Sequence, residues 1–313
     1  MDTQKNPMLS VIIPAFNEQD MIHKTFHTVN DLLTENRIPH EILFVDDGSK
    51  DETFLRISQL SKEYSEAKGL SFSRNFGKES AIFAGLEAAD GGCCVVMDCD
   101  LQHPPAVIPE MYRLWQEGYE VVEGVKSSRG KENPIHTLCA KGFYGLISKA
   151  VKIDMSNASD FKLLDRKAIE ALLIMPERAP FFRALSSWVG FRSTTVSFEV
   201  GERTVGSSKW SPVSLVKYAI RNITSFSGGP LHFVTIMGWL MLIFAGILGI
   251  QSLYRYLMGT ALEGFTTVIL LQLVIGSLLM ISLGIIGHYI SRIYDEIKGR
   301  PRFIVSKRCG YEE

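Results

Sequence analysis

The stretch with the most chemical content is VVMDCDLQHPP, Val95 to Pro105. An apolar run ends in two aspartates one residue apart, followed by Gln102 and His103 and stopped by Pro104 and Pro105. In an extended chain alternate side chains face one side, so Asp98, Asp100 and Gln102 converge on one point if the strand continues that far. Carboxylates held that close repel unless a cation lies between them or one takes up a proton. Carboxylates with an amide oxygen suit a hard divalent ion such as Mg²⁺ or Mn²⁺, commonly shared with substrate phosphates. The plainer alternative is that the aspartates cap a turn, with the two prolines ending the strand.

The elements that would position this stretch are legible upstream. Apolar runs at Leu9–Ile13, Glu41–Val45, Gly69–Ser73 and Cys93–Met97 read as strands, and helical patterns separate them: from beyond AFNE through about Leu33, Thr53 to Tyr64, and Glu79 to Ala89. Strand alternating with helix implies a parallel α/β sheet, whose ligands bind beyond the carboxyl ends of the strands. Polar motifs occupy those ends: Phe16-Asn17-Glu18 after Pro14, Asp46-Asp47-Gly48-Ser49, Arg74 through Gly77 and Lys78, and the Asp98 pair. Asp46 and Asp47 are placed to accept hydrogen bonds from a nucleobase edge or ribose hydroxyls, and Gly48 permits the turn. Ser49 is a candidate cap for the next helix. Arg74 and Lys78 bring positive charge to where phosphates would lie; the alternative for Lys78 is a solvated residue at a helix start.

Charge and hydropathy bound the rest. A net charge of −1 over 313 residues excludes general electrostatic attraction to nucleic acid. Leu231 to Tyr254 and Phe265 to Ile290 contain no Asp, Glu, Lys or Arg, and each exceeds the roughly 20 residues that cross a bilayer. Met1 to Pro7 is polar, which reads as no signal peptide and a cytoplasmic N-terminal region. Arg292, Lys298, Arg300, Arg302, Lys307 and Arg308 follow the second span, while Arg255 and Glu263 are the charges between the spans. That bias predicts a multi-pass protein of the cytoplasmic membrane with its C-terminus also in the cytoplasm. Cys93, Cys94, Cys99, Cys139 and Cys309 fit no zinc spacing and read as reduced thiols. Gly124 to Lys152 carries six cations against Glu132, and its apolar positions recur at helical spacing. This suits an interfacial helix over about 134–151, or an ordinary amphipathic surface helix.

Four ordered motifs, SVIIPAFNE, EILFVDDGSKD, FSRNFGKESAIFAGL and MDCDLQHPP, together resemble glycosyltransferase family 2 and, more narrowly, its polyprenyl-phosphate branch. The resemblance runs over nearly the whole chain, membrane tail included. It implies a GT-A catalytic domain at 1–210, an interfacial helix at 211–229, spans at about 231–256 and 265–290, and a basic cytoplasmic tail at 291–313. It implies a nucleotide-diphosphate sugar donor and a polyprenyl phosphate acceptor, with Mg²⁺ or Mn²⁺ held by Asp98, Asp100 and Gln102. By the same resemblance Pro14, Phe16, Asn17, Glu18, Asp46, Asp47, Ser49, Gly77, Lys78 and Asp98 bind the nucleotide sugar, together with Arg203, Ser207 and Lys209 of a mobile loop. Asp160 of the SDFK segment would accept hydrogen bonds from the sugar, a turn or helix cap being its structural alternative. Catalysis would rest on Asp98, Asp100, Asp160, Arg203 and Lys209. Lys126, Arg129 and Lys141 would meet the acceptor phosphate, although relatives often carry arginine where Lys126 stands.

Such transfer inverts the anomeric carbon. A lipid monophosphate, with a second pKa of about 6, is already anionic at neutral pH, so no general base is expected, His103 included. Uridine diphosphate glucose and undecaprenyl phosphate are favoured, with N-acetylglucosamine, mannose and dolichyl phosphate as alternatives. A homo-oligomer, tetrameric by analogy, is expected. A processive polysaccharide synthase is a rival, disfavoured because Ala184-Leu185-Ser186-Ser187-Trp188 lacks the glutamine and arginine of a Q-x-x-R-W motif. A non-catalytic membrane scaffold is the other.

Overall fold

Strands buried on both faces must be apolar at nearly every position, and four such runs form the centre of the sheet. In a computed structural model describing residues 7–126, 159–175, 177, 180–199, 229–259 and 264–311, they are β1 (Leu9–Ala15), β2 (His40–Asp46), β3 (Ala67–Phe72) and β4 (Cys93–Val96). They are parallel, as expected, with α1 (Ile22–Glu35), α2 (Thr53–Glu63) and α3 (Lys78–Ala88) between them. A single 3₁₀ turn at Pro105–Val107 leads to α4 (Ile108–Gln116) and β5 (Val121–Lys126). Then come β6 (Lys162–Asp165), α5 (Arg166–Ile174), α6 (Phe182–Trp188) and β7 (Ser193–Phe198). Two long helices, α7 (Gly229–Leu257) and α8 (Phe265–Ile297), precede β8 (Val305–Cys309). The eight-stranded sheet has the order β7-β5-β6-β4-β1-β2-β3-β8. It is mixed, because β6 runs antiparallel to β4 and β5, and β8 antiparallel to β3.

One face of the sheet meets α1, α2 and α4. Val11 and Ile13 pack there with Phe26, Val29, Ile57 and Trp115. Helix α1 faces the sheet with Ile22, Phe26, Val29 and Leu33, all fully buried at helical spacing; each such side chain stabilises the fold by about 1.5–3 kcal/mol. On the other face Leu43, Val45, Leu70 and Phe72 pack on Ala81 and Ala84 of α3. The buried cysteines Cys93, Cys94 and Cys99 are free thiols of this core, as expected.

The chain divides into two compact units, Met1–Ser211 with Arg300–Glu313, and Pro212–Gly299. The second contains helices long and apolar enough to cross a membrane, over Phe233–Arg255 and Leu271–Ile297, with mean hydropathies of 2.3 and 2.0. The 23 residues of the first span about 35 Å at 1.5 Å each, against a hydrocarbon thickness of about 30 Å. The tail reading of 291–313 needs correction. Helix α8 continues to Ile297, and β8 returns to the first unit as the edge strand beside β3. Phe303 stacks on Phe72 with ring centroids 5.2 Å apart, the Ile304 carbonyl accepts the Ser73 N–H at 3.0 Å, and the Ser306 hydroxyl donates to the Ser71 carbonyl at 3.0 Å. The tail's basic side chains hid a short strand whose backbone pairs with β3. The interfacial helix expected at 134–151, and 211–228 of the second one, lie outside the described residues; residue 229 already belongs to α7.

Candidate active site

The site begins where two strands separate. Pro14 lies in central β1, paired with Val45 of β2, a place where a missing N–H would ordinarily break the ladder. On its other side β4 ends at Val96, opposite Ile12, and the Met97 N–H closes the ladder on the Ile12 carbonyl at 3.1 Å. Pro14 therefore stands beyond the last β4 partner, at the point where the chain reverses its direction of winding, which in open α/β sheets is the ligand crevice.

Three loops at this end are laced together. Asn17 adopts a left-handed conformation with φ 54°; its N–H donates to Ser49 Oγ at 2.9 Å, and its Oδ1 accepts the Lys50 N–H at 3.0 Å. The Glu18 N–H donates to Thr53 Oγ1 at 3.0 Å. Asp46 is buried and accepts the Ser49 N–H at 2.9 Å and the Ser71 hydroxyl at 2.7 Å. Asp47, also buried, accepts the Phe76 N–H at 2.6 Å and the Gly77 N–H at 2.9 Å. Burial raises its pKa, as does the neighbouring Asp46 charge, and the two backbone donors partly offset this. The nucleotide-facing reading of Asn17, Asp46, Asp47 and Ser49 thus acquires a second aspect: these polar groups shape the loops. Phe16 remains exposed at the rim, and Arg74 lies over the Phe76 ring, 4.6 Å from its centroid.

The acidic turn differs from its simplest expectation. Strand β4 stops at Val96, residues 99–100 form a turn, and Leu101 has φ 58°. Strand alternation consequently does not aim Asp98, Asp100 and Gln102 at one point. They share a tight turn, in which Asp100 Oδ1 accepts the Gln102 N–H at 3.1 Å. Among the described residues no cluster of three His, Cys, Asp or Glu forms a closed metal cage. Two carboxylates and an amide on one turn, with Asp98 one-third exposed (33 %), nevertheless fit a hard ion that takes its remaining ligands from water and substrate oxygens.

Asp98 is the end of a chain of alternating charges. Lys78 Nζ lies 2.6 Å from Asp98 Oδ1 and 2.8 Å from Asp160 Oδ2. Arg183 closes the other end with a two-pronged contact, Nε to Asp160 Oδ1 at 2.6 Å and Nη2 to Oδ2 at 2.8 Å, the strong form of a guanidinium–carboxylate pair. Burial opposes ionisation of both aspartates. Lys78 and His103 together outweigh it at Asp98, and Lys78 with Arg183 at Asp160, so both carboxyls lie below the usual carboxylate range, Asp160 far below. Solvent reaches Lys78 and Asp98, so their pair is screened. The sugar-facing expectation for Asp160 meets a side chain only 6 % exposed, with both oxygens engaged by cations. Lys78, the partly exposed first residue of α3, bridges two strand ends.

His103 is buried, stacked on Phe161 with centroids 5.0 Å apart, and its Nδ1 faces the Asp98 N–H at 3.4 Å. Burial, aided by Lys78 and opposed by Asp98, keeps its pKa below the ordinary histidine value. The ring is thus packed between Phe161 and the Asp98 backbone. Lys126, at the end of β5, is exposed. Arg129, Lys141, Arg203, Ser207 and Lys209 lie outside the described residues.

The comparisons decide the family. The model for glycosyl transferase family 2 matches residues 10–173, a span that holds the strand-end motifs, Lys78, the Asp98 turn and Asp160 but not Arg183. The chain belongs to that family. It is a glycosyltransferase with a GT-A fold, and its relatives match almost end to end. It is 38 % identical over 311 residues to an uncharacterized glycosyltransferase, YkcC, of Bacillus subtilis, covering 97 % of this chain and 94 % of that one. It is 35 % identical over 302 residues to a prophage-derived bactoprenol glucosyl transferase of Shigella flexneri, covering 96 % and 97 %. An Escherichia coli prophage bactoprenol glucosyl transferase homolog is 36 % identical, at 96 % and 98 % coverage. Among solved structures, glucosyl-3-phosphoglycerate synthase of Mycobacterium tuberculosis with Mg²⁺ and uridine diphosphate shares the fold, at a TM-score of 0.52 and 20 % identity over 71 % of this chain and 80 % of that one.

Reading the family 2 glycosyltransferase from sequence missed Arg183, Glu79 and the pair of buried Lys162 with half-buried Glu123. Glu79 accepts the Phe182 N–H at 2.9 Å. Burial first, then the Asp160 charge, push its carboxyl up from 4.5 to about 7. Arg183 directly precedes the Ala184–Trp188 stretch, and nothing local marks its contact with a residue 23 positions away.

Proposed function

We propose that this glycosyltransferase moves a hexose, glucose from uridine diphosphate glucose in the favoured case, onto a polyprenyl phosphate, favoured as undecaprenyl phosphate, with inversion. The observation that carries the reading is the turn of Asp98, Asp100 and Gln102 at the opening between β1 and β4, in a chain related over nearly its full length to bactoprenol glucosyl transferases. Asp98, Asp100 and Gln102 would hold Mg²⁺ or Mn²⁺, which when bound supplies positive charge against the departing diphosphate. Pro14, Phe16 and the laced loops of Asn17, Asp46, Asp47 and Ser49 shape the nucleotide end. Arg203, Ser207 and Lys209 add donors to the diphosphate, and Lys126, Arg129 and Lys141 add positive charge for the lipid phosphate.

The absence of a general base is supported by the carboxylates themselves. Asp98 and Asp160 lie below the usual range and are poor proton acceptors. An acceptor that arrives as a phosphate monoanion or dianion needs none.

Two helices of span length and apolar composition support placement at a membrane. The chain leaves the catalytic unit, enters a unit with two span-length helices, and returns to β8 of the same sheet. Two crossings bring it back to the side from which it left. The positive bias of the flanking loops supports the cytoplasm as that side. The deciding experiment incubates the membrane-embedded protein with undecaprenyl phosphate, a panel of nucleotide sugars and Mn²⁺ or Mg²⁺. A uridine diphosphate glucose-dependent glucosyl lipid is expected; transfer only to a hydroxyl acceptor overturns the reading.

A further inference from the structure

Two carboxylates compete for one ammonium at the centre of the site. Lys78 Nζ is almost equidistant from Asp98 Oδ1 and Asp160 Oδ2, at 2.6 and 2.8 Å. What each aspartate can claim of that charge depends on its other partners. Asp98 opens toward solvent, whereas Asp160 is enclosed and held by Arg183. An enclosed carboxylate without a second cation draws its remaining one close, because water cannot substitute for it.

Arg183 is itself held from several directions. Its carbonyl accepts the Ser187 hydroxyl at 3.2 Å and faces the ammonium of Lys162 at 3.4 Å. Lys162 is fully enclosed and pairs with Glu123 at 2.9 Å. The same Glu123 oxygen accepts the Ser159 N–H at 2.9 Å, which fixes the backbone one residue before Asp160. On the other side the Phe182 N–H is bound by Glu79, the neighbour of Lys78. The guanidinium and the carboxylate it grips are therefore both built into rigid backbone.

We propose that Arg183 is a positioning residue for the divalent ion: by satisfying Asp160 it leaves Lys78 on Asp98, and so sets how strongly Asp98 attracts a metal. The inference rests on the proposed role of Asp98 as a metal ligand. With Lys78 in place Asp98 is partly neutralised, and the ion binds best when it arrives with a diphosphate that adds its own charge. Without Arg183, Asp160 recruits Lys78 and Asp98 is left with its full negative charge.

The test is direct binding of Mn²⁺ alone to the purified full-length chain, followed by electron paramagnetic resonance, with melting temperature as a check on folding. Arg183→Gln is expected to tighten Mn²⁺ binding roughly tenfold, and Asp160→Asn to weaken it by a similar factor, since it gives Lys78 wholly to Asp98. Arg183→Lys, which keeps a cation on Asp160, stays near wild type and covers the case in which the glutamine variant folds poorly. The double variant decides between a relay and a mere change of net charge. If Arg183 acts through Asp160, the double variant binds like Asp160→Asn; if charges simply add, it returns to wild type, which overturns the inference alone. Weaker binding in Arg183→Gln likewise overturns it. Mn²⁺ binding that Asp98→Asn leaves unchanged overturns the metal reading, and the inference with it.

Discussion

Gly77 donates its backbone N–H to the carboxylate of Asp47 at 2.9 Å, across 30 positions of sequence. That bond joins the turn after β2 to the start of α3, and Lys78 is the next residue. An aspartate that reads as a nucleotide ligand thus also sets where the bridging ammonium stands. Loop shape and site charge are one arrangement.

The same turn holds a backbone constraint. Gly48 has φ +68°, and a Cβ placed on it would lie 2.4 Å from the Arg74 carbonyl carbon. Gly77 has φ +98°, but a Cβ there meets nothing within 4 Å. Gly77→Ala is therefore expected to cost the conformational strain alone, about 1–3 kcal/mol. Gly48→Ala adds a clash with backbone that cannot swing away, and is expected to cost more. Chemical denaturation of the two variants checks the order.

Asp100→Asn is expected to reduce transfer nearly to background without unfolding the protein, because its Oδ1 can still accept the Gln102 N–H while the negative charge is lost. The measurement is a rate at saturating donor with increasing Mn²⁺, beside a melting curve. Full activity without added metal would contradict the leaving-group role.

Glu79 makes a pH prediction of definite sign. Its folded-state carboxyl, near 7, lies above the ordinary 4.5, so the native state binds this proton more tightly than the unfolded chain. Its contribution to stability is complete below about pH 4.5 and is lost as pH rises through 7. Glu79→Gln is expected to remove that slope from the pH dependence of melting while preserving transfer. A variant that loses both transfer and a rate inflection near 7 would instead install Glu79 as the base.

A chain ending at residue 300 keeps both span-length helices but loses β8. The β3 edge then loses its partner, the Ser73 N–H its acceptor, and Phe72 its stacked ring Phe303. Lower melting temperature and aggregation of the truncated protein are expected, since an uncovered apolar edge strand recruits other chains. Unchanged melting of the first unit would show β8 to be dispensable.

Much of this molecule is determined locally. The four parallel strands and their helices follow from apolar periodicity, and the two long apolar helices follow from the absence of charge over more than about 20 residues. The position of the polar motifs at strand ends follows as well, because chain order and the right-handed crossover leave them no other edge. What one residue does with its charge is not local. Asp98, Asp100 and Gln102 look like three positions on one strand face until Leu101 turns the chain at φ 58°. Asp160 looks free for a sugar until Arg183 and Lys78 arrive from 23 and 82 positions away. The tail looks like a solvated basic run until β3 offers it a backbone ladder. Hydrophobic burial is averaged over many residues and so shows in composition and period. An ion pair depends on a few ångströms between groups distant in the chain, and the folded structure alone sets that distance.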